Sequence, residues 1–478
     1  MSDSPNRPNR RSGSAPSSAG PFDSAAPGVD LDAALAAVDE HFDTFVEELQ
    51  ELCRIRSRRQ EADQMAATAT FLKGSVERWG GQAEIVPWEH SHPYVLAEIG
   101  GGARRLLHFN HYDVEVEPTG DDAEWISPPY AAEIHDGRLY ARGVADDKGA
   151  LLSRVHAAAV WRLTGQEPPV TSRYIMEGKR WLHSPGLGGF VAGHADRLAA
   201  DAALWENSWC DGDGRPLLKL GEKGILYLRL TSTTLNRTLT SQNTVLLPSA
   251  TARLTGALGC LVHPDGSSAV PGLADGARVP TDAERSMLER LPFDGEFLRE
   301  RAGVRAFTGG QSDTEAAVAI RTVPSITITG IEGGDNADDI TLGIPATATA
   351  KVEVRLVADQ DPEQVLSAIG THLADRGFAD VAVEVMATSR PHLTDHTDPF
   401  VGLVAETARA AYQAEPLIEP YTQWIGNQGV LTGMPIVGVG VSRADAGIDG
   451  PNEHIRLEDY RMGVKHVVRI MAALAVTP

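Results

Sequence analysis

Five polar clusters stand out because each follows a strand-like run or the turn that closes one. RRLLHFN leads into His111-Tyr112-Asp113, and the turn HDGRLYARG leads into Asp146-Asp147-Lys148-Gly149. SRYIM is followed by Glu177-Gly178-Lys179-Arg180-Trp181, and AALW by Glu206-Asn207. PIVGVGVS is followed by Asp445 and then by Asp449-Gly450-Pro451-Asn452-Glu453. An imidazole nitrogen with several carboxylate oxygens is the donor set of a hard or borderline divalent cation. Singly, each cluster has a plainer reading. His111 alone reads as a structural or surface histidine, and Asp146 alone as the cap of a helix starting near Gly149. Five of them in order, each read at a strand end, favour one shared site.

Such clusters need a scaffold that gathers strand ends. AEIVPW, YVLAEIG, RRLLHFNHYDV, SRYIMEG and DAALWEN are short β-rich runs, separated by helical patterns such as KGALLSRVHAAAVWRL and FVAGHADRLA. That alternation predicts an α/β fold, a central mixed sheet flanked by helices, whose ligands sit beyond the carboxyl ends of the strands. Apolar spacing predicts one long amphipathic helix over 31–56 and a second near 61–79. Near Ile225 the texture changes. ILYLRLTSTT, ATAKVEVRLVAD and VAVEVMAT alternate as strands, and PEQVLSAIGTHLADRG reads as a helix between the last two. An inserted α+β domain is expected over 226–391, within a larger domain made of 29–225 and 392–478 and completed by the helix PFVGLVAETARAAYQA, the strand MPIVGVGVS and a helix from Leu457. Residues 1–28, rich in Ser, Pro, Gly and Asn, are expected to be a disordered tail.

Composition excludes several function classes. The 478 residues are 42% hydrophobic, with no apolar run near the ~20 residues that cross a bilayer. The first residues lack the apolar core of a signal peptide, so a cytoplasmic location is expected. Cys53, Cys210 and Cys260 are far apart with no CxxC pair, which excludes a disulfide framework, argues against a cysteine-based zinc site and predicts reduced, mostly buried thiols. A net charge of -22 argues against nucleic acid and anionic membranes as partners.

With these segments in view, the chain resembles the co-catalytic zinc peptidases: carnosinase-type dipeptidases, acetylornithine deacetylase, succinyl-diaminopimelate desuccinylase and carboxypeptidase G. The likeness runs from about residue 30 to the end. It rests on HYDV, WISPPYAAEIHDGRLYARGVADDKG, IMEG, ALWEN, TVPSITITGIEGG, IPATATAKVEVRLVADQDPEQV and PNEHIRLEDY. The resemblance implies a zinc ligand at His111 oriented by Asp113, a metal-bridging aspartate at Asp146 and a ligand at Glu206. That makes one possible site for zinc or another divalent ion. It also implies an inserted domain that serves as a lid and joins a homodimer.

The rest of the family's machinery is altered. Where it carries a general-base glutamate and then a ligand glutamate, this chain has Arg180 and Trp181. Where it has its last ligand histidine, this chain has Asp449. The histidine that the inserted domain extends to the partner's site corresponds to Arg237. The substrate-holding glycine loop is replaced by PYTQW, in which Thr422 resembles the original and Trp424 is new. Arg355 in EVRLVAD resembles the arginine that binds a substrate carboxylate, and equally suits a structural ion pair on a strand. A guanidinium cannot serve as a base near neutral pH, and tryptophan does not ligate metal, so a second metal is not expected.

The expectation is therefore a divergent member that binds or acts on an amino-acid- or peptide-derived small molecule by chemistry other than standard di-zinc amide hydrolysis. The large polar and aromatic residues Arg180, Trp181, Arg237 and Trp424 suit an anionic, partly planar ligand. A non-catalytic homologue, or a dipeptidase or deacylase with an atypical single-metal site, are the alternatives.

Overall fold

The computed structural model describes residues 29–89, 91–114, 125–180, 184, 186–206, 208–334 and 342–477. The expected tail, 1–28, and Trp181 lie outside them.

A six-stranded mixed sheet forms the floor of the molecule. In spatial order its strands are Gln82–Val86, Tyr94–Ile99, Thr171–Glu177, Arg105–His111, Ala202–Trp205 and Ile436–Val437. Arg105–His111 runs parallel to both Thr171–Glu177 and Ala202–Trp205, so the clusters at His111, Glu177 and Glu206 emerge from one edge. Side chains alternate between two apolar layers. Val95, Ile99 and Leu106 join the helices Leu31–Glu40, Phe42–Arg54, Gly149–Leu163, Pro399–Tyr412 and Leu457–Val476 on one face. Tyr94, Leu96, Leu107, Phe109 and Trp205 meet the helix Leu187–Gly193 on the other. A sheet covered on both faces requires apolar residues at consecutive positions, and RLLHF supplies them.

The inserted unit has its own four-stranded antiparallel sheet, ordered Ser325–Gly333, Thr347–Leu356, Gly224–Thr233, Ala382–Ser389. The helices Ala250–Leu258 and Pro362–Asp375 cover one face of it through Leu254, Leu258, Val365 and Ile369. Three further helices, Asp282–Glu289, Gly295–Ala302 and Asp313–Thr322, extend this unit. Leu288 and Val318 from them, with Leu291 just beyond the first, pack with Leu217, Leu417 and Tyr421. The two chain crossings run side by side, Gly221 paired with Leu393 and Glu222 with His392.

Two expectations need correction. The helix read as continuous over 31–56 is two helices, broken at His41, whose φ of -103° and ψ of 11° interrupt the turn. The apolar spacing continues through the break because both helices press on the same core. The helices at 250–258, 282–289, 295–302 and 313–322 were not read from the sequence. The strand in MPIVGVGVS is also shorter than its apolar run, with only Ile436–Val437 in the sheet.

Candidate functional site

The floor of the site is fastened by a buried arginine. Arg154, on the helix Gly149–Leu163, donates to the carbonyls of Phe109 at 2.8 Å, Leu204 at 3.2 Å and Val439 at 3.1 Å, and to that of Glu206. It also donates to Asn110 Oδ1 at 2.6 Å. One guanidinium, with its rigid fork of donors, thus ties together the segments bearing His111, Glu206 and the loop after Val437.

His111 is buried at its strand end. Its Nδ1 meets the Asp113 backbone carbonyl at 3.1 Å, with Asp113 Oδ1 3.4 Å away, and its Nε2 stands 3.5 Å from Asp146 Oδ1. Burial alone would strip the ring of its proton, but Asp113 and Asp146 outweigh it and hold the His111 pKa well above the ordinary range. Burial disfavours ionisation of Asp146, yet its hydrogen bond with His111 and the charges of His111, Arg180 and Lys219 hold its carboxyl below the ordinary value. The segment carrying Asp146 is held from behind by Glu453, which accepts from the amides of Gly143 at 2.9 Å, Ala145 at 3.0 Å and Asp146 at 3.3 Å.

Arg180 faces this pair. Its Nε donates to Glu206 Oε1 at 2.5 Å and its Nη2 to Glu206 Oε2 at 3.3 Å, a forked ion pair. Nη2 also reaches the Ile425 carbonyl at 3.2 Å, and the backbone amide of Arg180 donates to Asp113 Oδ1 at 3.2 Å. Glu206 sits at φ 34°, a backbone region costing a non-glycine residue about 1–3 kcal/mol and often found at functional sites. Burial, reinforced by neighbouring Glu206, lifts the Glu222 carboxyl to about 7. Burial likewise lifts Asp147 and Glu177 to about 7.

Whether these residues suit a metal ion turns on the third ligand. Two ligands held about 2.1 Å from one ion stand at roughly the separation of His111 Nε2 and Asp146 Oδ1. Glu206, however, spends both carboxylate oxygens on Arg180. Among the described residues no group of three His, Cys, Asp or Glu side chains converges as a metal site. The three-ligand arrangement expected of His111, Asp146 and Glu206 is therefore not assembled, because the guanidinium competes for the third donor. As arranged, the donor set does not fit a metal centre.

The remaining expected residues are dispersed. Thr422 is buried close to the crossing between the units, and its Oγ1 accepts from the Trp424 amide at 3.3 Å. The Trp424 side chain is 50% exposed. Arg355 pairs with Glu353 at 2.6 Å and donates to the Gln423 carbonyl at 3.2 Å, so it touches the loop that carries Thr422. Arg237 is exposed, on the loop between the strands Gly224–Thr233 and Leu239–Thr240. Asp449 lies in an exposed turn at φ 60°, where its charge helps to raise the buried Glu453 carboxyl, lifted to about 8 chiefly by burial. Sequence reasoning missed Arg154, Glu222 and Lys223. A Glu-Lys pair between Gly221 and Gly224, where the chain changes texture, was the available signal. An arginine midway along an otherwise apolar stretch of helix was the other.

The sequence model of peptidase family M20/M25/M40 matches residues 109–473. The chain belongs to that family. This M20 chain is 27% identical over 362 residues to the beta-Ala-His dipeptidase of Rattus norvegicus, covering 70% of itself and 72% of the relative. It is 27% identical over 290 residues to a Cys-Gly metallodipeptidase of Schizosaccharomyces pombe, covering 59% and 60%. Among solved structures, the M20 family metallo-carboxypeptidase Sso-CP2 from Sulfolobus solfataricus matches with a TM-score of 0.82 at 27% identity, covering 91% of this chain and 99% of that one. Human carnosine dipeptidase 1 matches at 0.75 and 24%, covering 94% and 99%, a likeness of fold. No helix among the described residues of the M20 chain is long and apolar enough to cross a membrane.

Proposed function

We propose that this M20-family chain binds an amino-acid- or peptide-derived small molecule between the carboxyl edge of its main sheet and the inserted unit over 226–391. In this reading the Arg180 guanidinium takes the place of a second metal ion, and any turnover proceeds by chemistry other than standard di-zinc hydrolysis. The observation that carries the reading is the fork from Arg180 onto Glu206, at 2.5 and 3.3 Å. A two-metal mechanism needs a carboxylate there to hold an ion and a base to take a proton from water. Here the carboxylate is neutralised and the group beside it is a permanent cation. The family's dipeptidases supply the ligand class. His111, Asp113 and Asp146 are the groups that would polarise or hydrogen-bond a bound carbonyl or amine, with Arg355, Thr422 and Trp424 toward its far end.

Metal content per chain tests this directly. The wild type is expected to purify with less than one zinc. The combined change Arg180→Glu, Trp181→Glu and Asp449→His is expected to gain metal and hydrolysis of N-acyl amino acids. Two zinc ions bound to the wild type would overturn the reading. A purely binding role is separated from a repurposed enzyme by incubating wild type with dipeptides and N-acyl amino acids and looking for any product.

A homodimer joined through the inserted unit belongs to the same reading. It is supported by the exposure of Arg237, which would then face a partner.

A further inference from the structure

Of the three helices that extend the inserted unit, two reach the main unit: Asp282–Glu289 and Asp313–Thr322. Both meet the same short stretch of it, 417–421, which begins as a strand paired in parallel with Leu217–Lys219. Arg321, near the end of the second helix, donates from Nε to Glu419 Oε1 at 2.9 Å, while its Nη1 is held by the Ala317 carbonyl at 2.8 Å. The two side chains are 8% and 1% exposed, so parting them would strand two buried charges. Glu284, on the first helix, is fully buried. One of its oxygens accepts from the Tyr421 hydroxyl at 3.1 Å and the other from Arg278 Nη2 at 3.0 Å. Arg278 Nε closes the triangle by donating to the same hydroxyl at 3.1 Å. Leu288 and Val318 share an apolar cluster with Leu217 and Leu417.

These ties form a third connection between units that the chain itself joins at only one place. At the crossing, Gly221 pairs with Leu393 and Glu222 with His392, and so short a two-stranded ribbon has little stiffness of its own. Lys223, 5% exposed, reaches from the crossing to the Val323 carbonyl at 3.0 Å, where the helix bearing Arg321 ends. Beyond Tyr421 the same stretch runs into the loop over the site. There the Trp424 carbonyl accepts from the Lys223 amide at 2.9 Å and the Ile425 carbonyl from Arg180 at 3.2 Å. Turning one unit against the other at the crossing therefore pulls Arg321 from Glu419 and Glu284 from Tyr421, and disturbs the loop that Arg180 holds.

We propose that the helices 282–289 and 313–322 are a strap that keeps the inserted unit closed on the main unit with no ligand bound. Entry to the space between the units is then limited by release of Arg321 from Glu419 and of Tyr421 from Glu284. The inference rests on the small-molecule reading only in that the space so closed is the one assigned there to the ligand. Metal content reads the Arg180 proposal and amide exchange reads the strap, so either can fail while the other stands.

Hydrogen exchange of the full chain without ligand tests this, because local opening shows in the amides it frees. The amides of Lys223, Thr394 and Gly426 are hydrogen-bonded across the crossing. In wild type they are expected to exchange within tenfold of the core strands Arg105–His111 and Thr347–Leu356. Combining Arg321→Gln, Glu419→Gln and Tyr421→Phe cuts the strap without leaving a lone charge. That variant is expected to exchange at the three crossing amides at least tenfold faster, with both core strands unchanged. Tyr421→Phe alone, the milder change, is expected to give the same selective acceleration of about threefold. Crossing amides that exchange in wild type as fast as an exposed loop would overturn the proposal without any variant having to fold. So would variants whose crossing amides keep the wild-type rate. Acceleration spread evenly over the core strands would overturn it as well, since the ties would then serve overall stability alone.

Discussion

Arg180 and Glu206 depend on each other, since each leaves a buried charge if the other is removed. Their side chains are only 15% and 7% exposed, so solvent screens the pair weakly. Arg180→Ala is expected to cost about 3–5 kcal/mol in urea unfolding, the usual result of orphaning one member of a buried pair. Replacing both residues by leucine should recover most of that loss. A second buried carboxylate gives a pH signature. Glu48 accepts from Trp79 Nε1 at 2.9 Å and contacts His156 Nε2 at 2.9 Å. Burial opposes its ionisation, but these contacts outweigh burial and bring its pKa from 4.5 down to about 2. A depressed carboxylate stabilises the fold above its unfolded pKa and loses that contribution as pH falls toward the folded value. Glu48→Gln should therefore cost about 3 kcal/mol near pH 7, and the difference from wild type should shrink between pH 4.5 and about 2, as followed by thermal melting. At this scale the sequence was informative where chemistry sits beside a strand end, as at His111 and Glu206. Arg154 and Lys223 were silent because their meaning lies in what surrounds them, which composition and spacing do not encode.

Elements joined across long sequence gaps are constrained by close backbone approach. Gly224 opens the strand Gly224–Thr233, which lies between two partners in the inserted sheet. A Cβ there would stand 2.5 Å from the Ser389 carbonyl oxygen and 2.6 Å from the Pro391 nitrogen. These are backbone atoms that cannot rotate away, so Gly224→Ala should cost about 1–3 kcal/mol in thermal or urea unfolding. The strands and the long helices of the main sheet were legible because burial on one or two faces imposes a simple period. The break at His41 was not, since both helices present the same apolar stripe. The helices at 282–289 and 313–322 are short and weakly apolar, yet each opens with a reciprocal cap, Thr281 with Glu284 and Ser312 with Glu315. Those S/T-x-x-E patterns were readable in the sequence as helix starts.

At the scale of the whole molecule, the inserted sheet leaves both edges open. Ser325–Gly333 and Ala382–Ser389 each pair on one side only among the described residues, and they expose Ile331 at 62% and Met386 at 39%. Open apolar edges invite pairing with another copy. Light scattering is expected to give twice the chain mass of 51.1 kDa, and Ile331→Lys with Met386→Lys to give the single-chain mass. The Arg154 tie has a further consequence, for the order in which the protein can be made. Its contact with Val439 spans 285 residues, so the guanidinium lacks that partner until nearly the whole chain has left the ribosome. The inserted sheet, by contrast, is closed within 224–389. Synthesis therefore closes the inserted sheet before the floor, and a nascent chain stalled near residue 430 should release a protease-resistant fragment from the insert while the floor is still digested.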